Sequence, residues 1–120
     1  LGDVYKRQIQ ERFILPEACP NANPSWFGFT LTCKEGVQRT DVVRFIESHG
    51  IQTRMLFAGN LTKHPCFDHL RRSGKGYRIV GDLSNTDRIM RDTFWVGVYP
   101  GMTDGKIDYM MRILRSIPAE

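Results

Sequence analysis

The side chains able to do chemistry are few, and their spacing does not let them do it alone. Three histidines, His49, His64 and His69, and three cysteines, Cys19, Cys33 and Cys66, make up the nitrogen and sulfur ligand set. A zinc site needs such groups converging on one point at recognisable intervals, and neither residue type repeats that way here. A Cys–His nucleophile has no better support. Cys33 falls in an apolar run and Cys66 follows Pro65 at a helix start, so both read as small buried residues. Gly74-Lys75-Gly76 lacks the Ser or Thr and the strand-to-helix setting of a phosphate loop and reads as a turn. Neither a dinucleotide glycine fingerprint nor a Gly-x-Ser-x-Gly elbow occurs. No catalytic constellation is complete, so any chemistry served by these residues must be finished by groups elsewhere.

What remains is a set of polar residues at strand ends and loops, Arg54, Asn60 and Arg88, beside the aromatic stretch Trp26-Phe27. Strand ends and loops are where binding groups gather. A guanidinium grips phosphate or carboxylate with a fork of donors, an amide bonds hydroxyls, and an aromatic ring flanks a base or sugar. The set therefore suits an anionic, sugar-like ligand. The competing reading, surface arginines and core aromatics, stays open at this point.

The elements that must position these residues follow from periodicity. Trp26 to Cys33 alternates Phe27, Phe29 and Leu31 against Gly28, Thr30 and Thr32, the pattern of a half-buried strand. Thr40 is the expected cap of a helix over 41–49, with Val42, Val43, Phe45, Ile46 and His49 at the 3.6-residue period and Gly50 as its stop. Ile51 to Phe57 predicts a second strand, and Pro65 opens a short helix reaching Arg72. Tyr77 to Val80 predicts a brief extended piece, and Ser84-Asn85-Thr86-Asp87 a capping sequence for a helix through Met90. Thr93 to Tyr99 is the third strand. Thr103 caps a last helix whose stripe of Ile107, Met110, Met111, Leu114 and Ile117 is core packing. Phe13-Ile14-Leu15-Pro16 is an extended entry, because proline disfavours helix at the residue before it. Residues 1–11 are set aside as a linker or foreign segment, with 12–120 as the domain.

This order gives an α+β fold, a small sheet of about three strands covered on one face by the two amphipathic helices. Trp26, Phe27, Phe29, Phe94 and Trp95 are many aromatics for so short a sheet, so its other face is expected to dock on a larger domain. A chain of 120 residues, 41% hydrophobic and 25% charged, fits one domain and no second core. Net charge is +4, but the 17 Lys and Arg are scattered among 13 acids, which argues against a nucleic-acid partner. An odd cysteine count points to a reducing cytoplasm, and no apolar run approaches the ~20 residues of a membrane span.

Four segments carry a resemblance: Pro24 to Phe29 (PSWFGF), Thr53 to Leu61 (TRMLFAGNL), Gly81 to Arg88 (GDLSNTDR) and Thr93 to Gly101 (TFWVGVYPG). Together they resemble the DegT/StrS-type family of nucleotide-sugar enzymes, from about Arg12 to Ile117, and within it the CDP-4-keto-6-deoxy-D-glucose 3-dehydrases. The resemblance implies the carboxy-terminal small domain of a fold-type I aminotransferase-like enzyme, with the coenzyme on a missing large domain. It further implies removal of the sugar's C3 hydroxyl for dideoxysugar and O-antigen synthesis, with pyridoxamine phosphate (PMP) as electron sink. Electrons would come from a reductase partner through a [2Fe-2S] cluster whose cysteines lie upstream, so Cys19, Cys33 and Cys66 are not its ligands. A homodimer is implied for the full-length enzyme, and no PMP, pyridoxal phosphate (PLP) or cluster is expected on this chain by itself. Aminotransferase relatives commonly have histidine and tyrosine in the stretches that correspond to Trp26 to Phe29 and Phe57 to Thr62, where Phe27, Phe57 and Thr62 stand here; a drier pocket suits dehydration. Two alternatives remain: a PLP-dependent sugar aminotransferase of the same family, and a non-catalytic module binding an anionic ligand.

Overall fold

Alternation along two strands decides which residues make the core. The computed structural model describes residues 9–118. Among them, β1 (Phe13–Ile14), β2 (Gly28–Cys33), β3 (Thr53–Met55) and β4 (Thr93–Gly97) form an antiparallel sheet in the order β1-β2-β4-β3. The sheet thus has four strands where three were expected. The extended entry supplies the fourth, Phe13 lying opposite Cys33 and Ile14 opposite Thr32.

In β2 and β4, Phe29 pairs with Val96 and Leu31 with Phe94, and all four are buried on one face. Phe13 and Cys33 join them from the first ladder. Val42 and Ile46 of α1 (Arg39–Ser48) and Met111, Ile113 and Leu114 of α4 (Asp104–Arg115) join this cluster, with Ile51 and Ile117 beside them. Period 2 in the strands meets period 3.6 in two helices, which is the covered face predicted above. The core therefore absorbs two of the five aromatics, Phe29 and Phe94, while Phe27 remains 76% exposed. Ile9, in the segment set aside as linker, also packs into the core. The Arg12 guanidinium donates to the carbonyls of Ile117 and Pro118, joining the two ends of the described chain.

The last helix starts as expected, the Thr103 hydroxyl accepting from the Lys106 N–H. Other boundaries differ for identifiable reasons. α1 begins before Thr40, which lies inside the helix; its N-cap is Gln38, with no side-chain cap bond. Arg39 is held in the first turn by donating to the carbonyls of Met90 at 2.6 Å and Thr93 at 3.3 Å. α3 (Ser84–Asp92) likewise takes Ser84 as its first residue rather than its cap. Its N-cap is Leu83, with no side-chain cap bond, and the Asp82 carboxylate before it accepts from the Ser84 N–H at 3.0 Å and hydroxyl at 2.9 Å. Those bonds hold the Asp82 carboxyl below its usual range.

The strand expected over 51–57 is only Thr53–Met55, because Phe57 adopts a left-handed backbone (φ 51°) and turns its N–H onto the Met55 carbonyl at 2.7 Å. The helix after Pro65 begins as a 3-10 turn, Pro65–Phe67, and continues as α2 (Asp68–Ser73), closed by Gly74 at φ 65°. Tyr77 to Val80 pairs with no described strand. Cys66 is exposed rather than buried, since only a short 3-10 turn surrounds it.

Candidate functional site

The second face of the sheet carries the residues between those of the core. Across it, Thr30 of β2, Trp95 of β4 and Arg54 of β3 stand opposite one another in register. Side chains so placed are cross-strand neighbours on one face. Trp95 also meets Phe27, with ring centroids 5.3 Å apart and planes inclined by 54°. Gly28 makes this possible: a Cβ there would stand 2.4 Å from Trp95 Cε3, inside any allowed contact, so only glycine lets the indole lie over β2. Arg54 is exposed at the sheet edge and donates to its neighbour's carbonyl, Thr53 O, at 2.9 Å. That leaves most of its five N–H groups for other acceptors.

The loop after β3 is fastened to α3. Asn60 is 2% exposed. Its carbonyl oxygen accepts from the Thr62 N–H at 3.0 Å and the Thr62 hydroxyl at 2.6 Å, and its amide donates to Asp87 Oδ1 at 2.7 Å. The other Asp87 oxygen holds Lys63 Nζ at 2.9 Å. The Asn60 bond first, and then Lys63, keep the Asp87 carboxyl below its ordinary range. One helical turn on, Met90 Sδ receives the Asn60 N–H at 3.3 Å, and Gly59 (φ 64°) lies so close that a Cβ would meet Met90 Cγ at 2.6 Å. Phe57, just before this anchorage, is 77% exposed.

The five residues singled out from the sequence are thus dispersed over three settings. Phe27 and Arg54 share the second face through Trp95. Asn60 lies beneath the loop, and Arg88 stands exposed on α3, next in sequence to the anchoring Asp87. Trp26, 45% exposed, turns from Phe27 into a groove of about 1020 Å³ between the entry segment and the start of α4, lined by Phe13, Pro16, Pro24, Tyr99 and Met110 among others. Trp95 was the site residue missing from the sequence set; strict alternation next to buried Phe94 was the signal that could have found it. Asp87 had no local signal, since only the fold brings it to Asn60 and Lys63 from 27 and 24 positions away in sequence.

Among the described residues no group of three His, Cys, Asp or Glu side chains could hold a metal ion. The Cys33 thiol is pushed up to about 11, by burial first and then by nearby Asp92, so it stays protonated and inert. Among the described residues no helix is long and apolar enough to cross a membrane.

Comparison with known proteins gives this arrangement a context. The chain is 50% identical over 99 residues to lipopolysaccharide biosynthesis protein RfbH of Salmonella typhimurium, covering 81% of this chain and 22% of that protein. It is 46% identical over 109 residues to dTDP-4-dehydro-2,6-dideoxy-D-glucose 3-dehydratase of Saccharopolyspora spinosa, covering 89% and 22%. The chain spans about a fifth of the length of these curated relatives. Its fold matches that of E. coli GDP-4-keto-6-deoxy-D-mannose-3-dehydratase with bound hydrated PLP, at a TM-score of 0.74 and 24% identity, over 92% of this chain and 28% of the other. The model of the DegT/DnrJ/EryC1/StrS aminotransferase family matches residues 1–115, and the chain belongs to that family.

Proposed function

We propose that this chain is the small domain of a nucleotide-sugar 3-dehydratase that removes the C3 hydroxyl of CDP-4-keto-6-deoxyglucose, for dideoxysugar and O-antigen synthesis. The observation that carries the reading is the close sequence likeness to RfbH and to a sugar 3-dehydratase along most of the chain. The same likeness disfavours a sugar aminotransferase. The exposed aromatic face gives the reading a physical role: it forms one wall of a cleft whose other wall carries the coenzyme.

On this reading PMP or PLP supplies the electron sink when bound, but the residues here do not form its cradle. No lysine or histidine stands in the row Thr30, Trp95 and Arg54. Lys63 is spent on Asp87, and His64 Nε2 donates to the Ala58 carbonyl at 2.5 Å. The described cysteines do not suit a [2Fe-2S] cluster either, one being buried and two exposed without companion ligands. Coenzyme, cluster, reductase partner and homodimer contacts are assigned to the remainder of the enzyme, in the cytoplasm.

The chain's own share is to bind and orient. Arg54 and Arg88 offer charge-assisted donors to the diphosphate, while Phe27 and Trp95 wall the sugar or base and exclude water from the reacting carbon. Trp26 contributes from the adjoining groove.

The test is to supply the full-length PMP-loaded enzyme and a reductase with CDP-, dTDP- and GDP-linked 4-keto-6-deoxyhexoses and to follow the product by mass and NMR. Loss of the C3 oxygen, fastest with the CDP sugar, is expected. A 4-amino sugar formed from an amino donor would overturn the reading in favour of an aminotransferase. Titration of the isolated chain with PMP is expected to give no micromolar binding.

A further inference from the structure

The loop from Phe57 to Lys63 combines two features that rarely meet. Phe57 holds φ at 51°, a region that costs a bulky L-residue energy, and keeps its ring almost wholly in solvent. The ring gains little burial from this inside the described domain. Strain of this kind persists only where its surroundings enforce it. Three residues on, Asn60 does so, with its side chain buried and three of its hydrogen-bonding positions filled by Thr62 and Asp87. Gly59 and the Asn60 N–H dock on Met90, one turn along the same helix from Asp87.

We infer that Asn60 is a positioning residue which, through Asp87, fixes the exposed Phe57 ring and the neighbouring Arg88 as one rigid edge of the sugar-nucleotide site. The inference rests on the binding role proposed above. It assigns to Asn60 no direct bond with the sugar: burial and engagement with Thr62 and Asp87 leave it a single amide hydrogen. An edge made of a loop pinned to a helix binds without paying to order itself, and that advantage appears as affinity.

Exchanging the pair tests the assignment. In the full-length enzyme, Asn60→Asp alone sets two carboxylates against each other. The KM for the CDP sugar is expected to rise at least tenfold, with kcat changing less than threefold. Adding Asp87→Asn restores every bond of the anchorage: the new carboxylate accepts from Thr62 and from the new amide, whose oxygen still receives Lys63. The double variant is expected to return KM to within threefold of the parent. Hydrogen exchange at the Thr62 amide reports separately whether the loop is closed. If exchange is restored while KM stays high, Asn60 contacts the substrate itself and the inference fails. An unchanged KM in the single variant also overturns it. Should that variant not fold, Thr62→Val, which removes one hydroxyl bond, is expected to raise KM two- to fivefold, and no change would be equally fatal. A parent enzyme without dehydratase activity would instead defeat the proposed function, while CDP-sugar affinity, measured by calorimetry on the same variants, would still decide the role of Asn60.

Discussion

Phe94 and Trp95 are adjacent in β4 and belong to two different economies. Phe94 stands opposite Leu31 in the core, with the Phe13 ring edge-on at 6.1 Å. Trp95 lies on the opposite face against Phe27 and alongside Arg54. One face is closed by α1 and α4 and explains why the domain folds. The other sets Trp95 and Arg54 in register, with Phe27 largely in water, and is the face proposed to meet the substrate. A single alternation thus separates the packed face from the face proposed to bind, and substitutions on the two faces should separate in the same way.

The largest effect is expected in the core. Phe94→Ala removes a fully buried ring and should cost about 3–5 kcal/mol of stability, read as a large drop in the urea midpoint. A loss under 1 kcal/mol would mean that the core is not centred on this strand. Gly28→Ala attacks the boundary between the faces. Its methyl group would occupy the space of the Trp95 ring, so the indole must swing away at a cost of about 1–3 kcal/mol. Tryptophan emission should shift as the Phe27 contact is lost, while the core, probed by amide exchange in β2 and β4, stays closed. An unaltered spectrum would contradict the close approach of indole and backbone.

How far the sequence reveals this division depends on the range of the contact involved. The stripe of α4 and its Thr103 cap are local and periodic, and Met111 and Leu114 are buried as the spacing requires, while Ile117, also buried, lies past the helix end at Arg115. The β2 alternation is equally local. Where contacts are distant, reading by period fails. Arg39 is drawn into α1 by carbonyls of residues 90 and 93, which no pattern near Thr40 announces. β3 ends early at the left-handed Phe57, and the loop that follows is tied to α3 across 27 residues through Asn60 and Asp87. The candidate site follows the same rule: Arg54, Arg88 and Phe27 are recognisable by type, but the juxtaposition of Arg54 with Trp95 exists only in the register of two ladders. Trp26 and Phe27, neighbours in sequence, face different surroundings because the chain turns into β2 between the groove and the sheet.

The claim most exposed to refutation is that the second face meets the sugar nucleotide. Calorimetric titration of the full-length enzyme and its Arg54→Ala variant with the CDP sugar tests it directly. Loss of one charge-assisted contact is worth about 1.5–3 kcal/mol. The dissociation constant should therefore rise by about tenfold or more, with thermal stability unchanged because Arg54 is exposed. Equal affinities for the two proteins would contradict the assignment of this face to the substrate.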